Sequence, residues 1–111
     1  MRLLIAAAAV AALGACTTPE ERSASAQQAR GGELAARHCG SCHAVGPIGE
    51  SPAPEAPPFR TLSRNYRVDT LEEALAEGIS VGHPAMPHFQ FPPEDVDALI
   101  AYLQSVQESP P

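Results

Sequence analysis

The chain has 111 residues and a formal charge of −6 at pH 7, with every basic residue an Arg and none a Lys, a balance that argues against nucleic acid as a partner. That length suits one domain. With two Tyr, three Phe and no Trp, an apolar core made by the side chains alone would be marginal.

Residues 1–15 read as an export signal. Arg2 gives a short positive start, and Leu3 to Leu13 is an uncharged apolar run, too short for a membrane-spanning helix of about 20 residues. The end of the run, Leu13-Gly14-Ala15-Cys16, resembles the lipobox of bacterial lipoproteins, which implies removal of 1–15 and acylation of Cys16 as the first mature residue. Ordinary signal-peptidase cleavage beside Ala12 and Gly14 is the other reading, and it would leave Cys16 as a lone thiol in an oxidising compartment. Residues 16–26 are, apart from Cys16 and Arg22, all Ser, Thr, Ala, Glu and Pro with little to bury, so they read as a flexible tether.

From Gln27 to His38 the composition turns to good helix formers. Gly31 and Gly32 would weaken such a helix by about 1 kcal/mol each, so they predict the close approach of another helix. The helix runs into Cys39-Gly40-Ser41-Cys42-His43. Two thiols at that spacing with His directly after the second fit the covalent attachment of a c-type haem. The thiols of Cys39 and Cys42 can add across two porphyrin vinyl groups, and His43 can then supply an axial imidazole nitrogen. A thioredoxin-like pair would need a βαβ context, and a zinc site would need a second Cys pair; neither is present. A haem at the centre also explains how so small a core is filled.

Pro47, Pro52, Pro54, Pro57 and Pro58 then rule out regular structure, and this loop is expected to wrap the proximal side of the haem. In 59–68, Leu62 and Tyr66 can share a face of a short helical turn. Arg60, Arg64 and Arg67 are solvated charges or partners for the haem propionates, with Arg60 and Tyr66 the candidates carried forward. Thr70 and Glu73 predict a capping box for a second helix with Leu71, Ala74 and Leu75 on its apolar face, ended by Gly78 in a left-handed conformation. The segment Gly82 to Phe89 has two prolines and no helical period. It carries three candidate ligands, His83, Met86 and His88; Met86, the only methionine beyond Met1, is the expected second axial ligand, and a bis-histidine site is the rival. The last helix starts near Pro92-Pro93, buries a stripe of Val96, Leu99, Ile100, Leu103 and Val106, and gives way to a tail over 109–111.

Cys39 to His43, Met86-Pro87 and Leu99-Ile100-Ala101-Tyr102-Leu103 together resemble class I cytochrome c over roughly residues 27–107, within a domain placed at 27–108. The resemblance implies an all-α fold in which the terminal helices cross near Gly31 or Gly32, facing Leu99 and Tyr102, around one covalent haem c. It also implies that the carbonyl of Pro57 accepts a hydrogen bond from the proximal His43. The match of Met86-Pro87 to the family's Met-Pro implies that His83 and His88 lie at the loop surface. The function the resemblance implies is that of a monomeric electron carrier, not an enzyme; the export signal and the lipobox-like Leu13 to Cys16 place it in the periplasm, held to a membrane through Cys16. Its acidic balance suits redox partners with a basic docking patch. A haem subunit or docking module of one periplasmic dehydrogenase is the alternative, ahead of a gas sensor in which Met86 dissociates.

Overall fold

The computed structural model describes residues 16–78 and 83–109, so the leader over 1–15 and the Gly82 end of the distal loop lie outside the described residues. Helix α1 spans Pro19–His38. It starts at Pro19 rather than Gln27 because Thr18 and Glu21 form a capping box: the Glu21 N–H donates to Thr18 Oγ1 at 3.2 Å and the Thr18 N–H to Glu21 Oε2 at 2.7 Å. Such a cap, with Pro19 in the first turn, is worth about 1 kcal/mol. These bonds also hold the Glu21 carboxyl below its usual range. The segment read as a flexible tether is therefore largely helix, although Cys16 to Arg30 stays exposed throughout. Only from Gly31 onward does α1 become a packed element, burying Gly31, Leu34 and Ala35.

Those residues pack against α3, Pro93–Ser105, which buries Val96, Ala98, Leu99 and Leu103. The α1–α3 contact is the most extensive between elements. Gly31 makes it feasible: a Cβ there would lie 1.9 Å from the Ala98 carbonyl oxygen and 2.7 Å from Tyr102 Cβ. Gly32 faces the Tyr102 ring instead, its would-be Cβ 3.0 Å from Cε2. The partners are thus Ala98 and Tyr102, with Leu99 turned into the core. Arg30 and Asp95 add an ion pair across the same two helices, with Arg30 Nε to Asp95 Oδ1 at 2.8 Å.

Between the two long helices lie the proline loop, two 3-10 turns at Phe59–Arg64 and Val68–Thr70, and the short helix α2, Leu71–Glu77. The capping box expected at Thr70 and Glu73 is absent. Thr70 is already helical at φ −73 and ψ −10, and its hydroxyl donates back to the Arg67 carbonyl at 2.6 Å, because the preceding 3-10 turn runs straight into α2. Gly78 does end α2 at φ 71, its N–H bonded to the Ala74 carbonyl. Among the described residues there is no strand, and no helix is long and apolar enough to cross a membrane. The fold is all-α, and its buried core is small, joining Leu34 and Ala35 to Phe59, Val68, Ala98, Leu99 and Leu103.

Gly31→Ala should cost about 3 kcal/mol, since its methyl meets backbone that cannot rotate away, and the thermal midpoint should fall by more than about 10 °C. Gly32→Ala should stay within about 1 kcal/mol of the parent, because the Tyr102 ring can give and Ala favours helix. Melting curves of the two variants check the contrast.

Tyr102 adds a pH signature. Its hydroxyl donates to the Val45 carbonyl at 2.8 Å, and burial raises the phenol above its ordinary value of 10.0. The unfolded chain therefore ionises first on the alkaline side. The contribution is complete below about pH 10 and is lost as pH rises through the higher folded value. Tyr102→Phe should lose about 1 kcal/mol at neutral pH yet show a flatter decline above pH 10 in denaturant titrations; parallel declines would contradict this.

Candidate functional site

The C-terminal end of α1 delivers Cys39-Gly40-Ser41-Cys42-His43 to one side of an apolar cleft. Cys39 caps the helix through its N–H to the Ala35 carbonyl at 2.8 Å. Its own carbonyl then accepts from the N–H of Cys42 at 3.1 Å and of His43 at 2.9 Å, so the pentapeptide curls into a tight turn. Cys39, Cys42 and His43 all line the cleft. Both thiols are free, as thioether links require. Burial, with the Cys42 sulfur beside it, pushes the Cys39 thiol up to about 11, so it is held as S–H at neutral pH.

His43 is fixed from behind. Its Nδ1–H donates to the Pro57 carbonyl at 2.8 Å, which leaves Nε2 as the lone-pair nitrogen of the neutral ring. Phe59 packs beside it with ring centroids 5.2 Å apart, and the Phe59 N–H donates to the Ala44 carbonyl at 2.9 Å. The proline loop is thus tied back to the residue after His43. Ser51 contributes as well, its hydroxyl accepting from the Ala44 N–H at 3.0 Å.

The walls are Phe59, Leu62, Leu71, Leu75, Leu99 and Leu103, from three different elements. Leu62, Leu71 and Leu75 are only half-buried, because part of each faces the cleft. Leucines in that state are stabilised by an apolar group that covers them. Across from the pentapeptide, the loop 83–89 lines the cleft with His83, Met86 and His88, and a turn closes it through the Met86 N–H to the His83 carbonyl at 2.9 Å. Both histidines are exposed as expected, yet both also border the cleft.

Tyr66 lines the cleft at its edge and is 44% exposed. Arg60 does not line it. Its guanidinium donates to Glu108 Oε1 at 2.9 Å and to the Gly49 carbonyl at 2.7 Å, so the Glu108 side-chain carboxylate is the acid it pairs with. Arg64 is bound to the same Glu108 and Arg67 to Asp69. Cys16 is exposed before the cap of α1, far along the chain from the cleft.

One cleft residue was not singled out from the sequence. His38, in the last turn of α1, meets the edges of Phe89 and Phe91 at 5.9 and 5.4 Å between centroids, and the two phenyl rings stack at 5.5 Å. The signal was the Phe-x-Phe spacing, which in an extended segment puts both rings on one side.

These residues fit a haem. Two unpaired thiols stand at the thioether spacing, an imidazole has its free nitrogen set by a hydrogen bond, the walls are apolar, and among the described residues no buried side-chain polar atom lacks a partner. The comparisons agree. Residues 26–103 match the family model described as cytochrome c oxidase, cbb3-type, subunit III. The chain is also 32% identical over 82 residues to cytochrome c-552 of Bradyrhizobium diazoefficiens, covering 74% of this chain and 77% of that one. No solved structure matches. The chain belongs to the small c-type cytochromes, the family of haem-based electron-transfer proteins with one covalently bound haem c.

Proposed function

We propose that the protein is a periplasmic, membrane-tethered electron carrier, with Cys39 and Cys42 holding the haem covalently and His43 and Met86 as its axial ligands. The observation that carries this reading is the Nδ1–H bond from His43 to Pro57, which leaves Nε2 for the iron while Met86 lines the same cleft. When bound, the haem supplies a one-electron couple between ferrous and ferric iron.

The chain's residues tune and shield that couple. The Pro57 carbonyl draws the Nδ1 proton and makes His43 a stronger donor. The Met86 thioether favours the reduced state, and the leucine walls exclude water, which acts in the same direction. With two protein ligands there is no place for substrate and no need for an acid–base residue. Electron exchange takes place where Tyr66 and Met86, 44% and 41% exposed, stand at the cleft. Tyr66 is the remaining candidate for a propionate, since Arg60 is committed to Glu108.

Charge points to the face a partner would use. No Arg follows Arg67, and Glu72, Glu73 and Glu77 stand exposed on α2, outside any ion pair among the described residues, while Leu71, Ala74 and Leu75 of the same helix line the cleft. A basic patch on the partner suits this face, with attraction screened over a Debye length of about 8–10 Å. A second reading, a haem subunit of one larger redox complex, draws on the family description, and co-purification of a fixed partner at high salt would favour it.

Met86→Ala should abolish the long-wavelength sulfur-to-iron absorption of the ferric protein, lower the potential and open the iron to carbon monoxide. His83→Ala and His88→Ala should leave all three nearly unchanged. Loss of that absorption in His83→Ala, with Met86→Ala spectrally silent, would move the ligand to His83.

The anchor has its own test. Acyl chains contribute about 0.8 kcal/mol per buried methylene, so Cys16→Ala should shift the protein from the membrane to the soluble fraction or stall its maturation. Native protein found wholly soluble and unmodified would contradict the tether.

A further inference from the structure

The segment after α3 is densely bonded to the rest of the fold. The Gln107 amide makes three bonds, all to backbone: Nε2 donates to the Leu103 carbonyl at 2.7 Å and to the Phe59 carbonyl at 2.7 Å, and Oε1 accepts from the Ser63 N–H at 2.8 Å. Glu108 continues the pattern, its N–H donating to the Arg60 carbonyl at 2.9 Å and its carboxylate accepting from Arg60 and Arg64. The 3-10 turn Phe59–Arg64 has no side-chain cap of its own. Gln107 grips it at both ends.

We propose that Gln107 and Glu108 form a strap that sets the Pro57 carbonyl against His43, which makes Gln107 a positioning residue for the axial imidazole. The link is short and stiff. Pro57 and Pro58 immediately precede Phe59, and two consecutive prolines have φ fixed near −65°, so the place of the Phe59 backbone determines where the Pro57 carbonyl points. Phe59 is held at its N–H by Ala44, at its carbonyl by Gln107, and lies ring to ring with His43. Arg60 extends the same clamp to the Gly49 carbonyl, bracing the loop behind His43. Gln107 also bonds Leu103, so it sets the last turn of α3 and the first residue of the 3-10 turn, both walls of the cleft, relative to each other. The inference rests on His43 as axial ligand, and its test separates the two.

The experiment uses the haem-loaded, full-length reduced protein and proton NMR of the His43 Nδ1–H, with the midpoint potential measured in parallel. Gln107→Leu removes all three bonds; Gln107→Glu keeps the acceptor for Ser63 and loses both donors. In both variants the Nδ1–H resonance should move upfield, its exchange with solvent should quicken about tenfold, and the potential should rise as the imidazole donates less. Val96→Ala is the control: Val96 is 2% exposed and lies outside the cleft, so its loss lowers stability without touching the strap. It should leave resonance and potential at the parent values. If the Gln107 variants melt earlier as Val96→Ala does, yet keep the parental resonance and potential, the strap is only structural and the proposal fails. Absence of a haem-shifted His43 Nδ1–H in the parent protein would overturn the axial assignment and the proposal together.

Discussion

The close approach of α1 and α3 at Gly31 is the constraint on which the rest depends. With no side chain at that position, the backbone of α1 settles onto the Ala98 carbonyl and Tyr102. The final turns of α1 are thereby set against the part of α3 that carries Leu99 and Leu103. The pentapeptide begins eight residues after Gly31, just over two helical turns on, so the same contact decides where the two thiols and the imidazole stand relative to those leucines. A helix pair of this size buries too little to stabilise a domain alone, and the half-buried leucines of the cleft explain why. Their remaining apolar surface is reserved for the haem.

From that frame the site divides into a stiff side and a plainer one. His43 is held by the Pro57 carbonyl and flanked by Phe59, and Ser51 and Phe59 tie the returning loop to Ala44. Nearly every polar group there is bonded within the protein. Opposite, Met86 stands on a turn flanked by Pro84 and Pro87 in which its N–H bonds to the His83 carbonyl, and the segment runs on to Phe89 and Phe91, which pack with His38. The asymmetry suits the ligation proposed above, in which the imidazole is fixed in orientation and basicity and the thioether is soft in its sulfur chemistry.

Much of this was legible in the residues. The Cys-x-x-Cys-His spacing, the glycines needed for helix contact, the Val96-to-Leu103 stripe and the left-handed Gly78 each express a local rule that tertiary context did not override. The misreadings have physical causes. Thr70 and Glu73 have the residue types of a capping box, but a 3-10 turn already supplies the helical geometry that a cap would have to initiate. The working box, Thr18 and Glu21, was passed over because the residues after it bury nothing, and capping acts on backbone groups whether or not a face is buried. The Arg60–Glu108 pair joins positions 48 apart, a separation no local pattern reports.

The central claim is that one haem is joined to this cleft through both thiols of the pentapeptide. Intact mass of the mature protein after denaturation, followed by mapping of the haem-bearing peptide, addresses it most directly. The account predicts a chain that retains one haem under denaturing conditions, with Cys39 and Cys42 both modified on the peptide that carries His43. Release of the haem on denaturation, or recovery of Cys39 and Cys42 as free thiols or a disulfide, would contradict it.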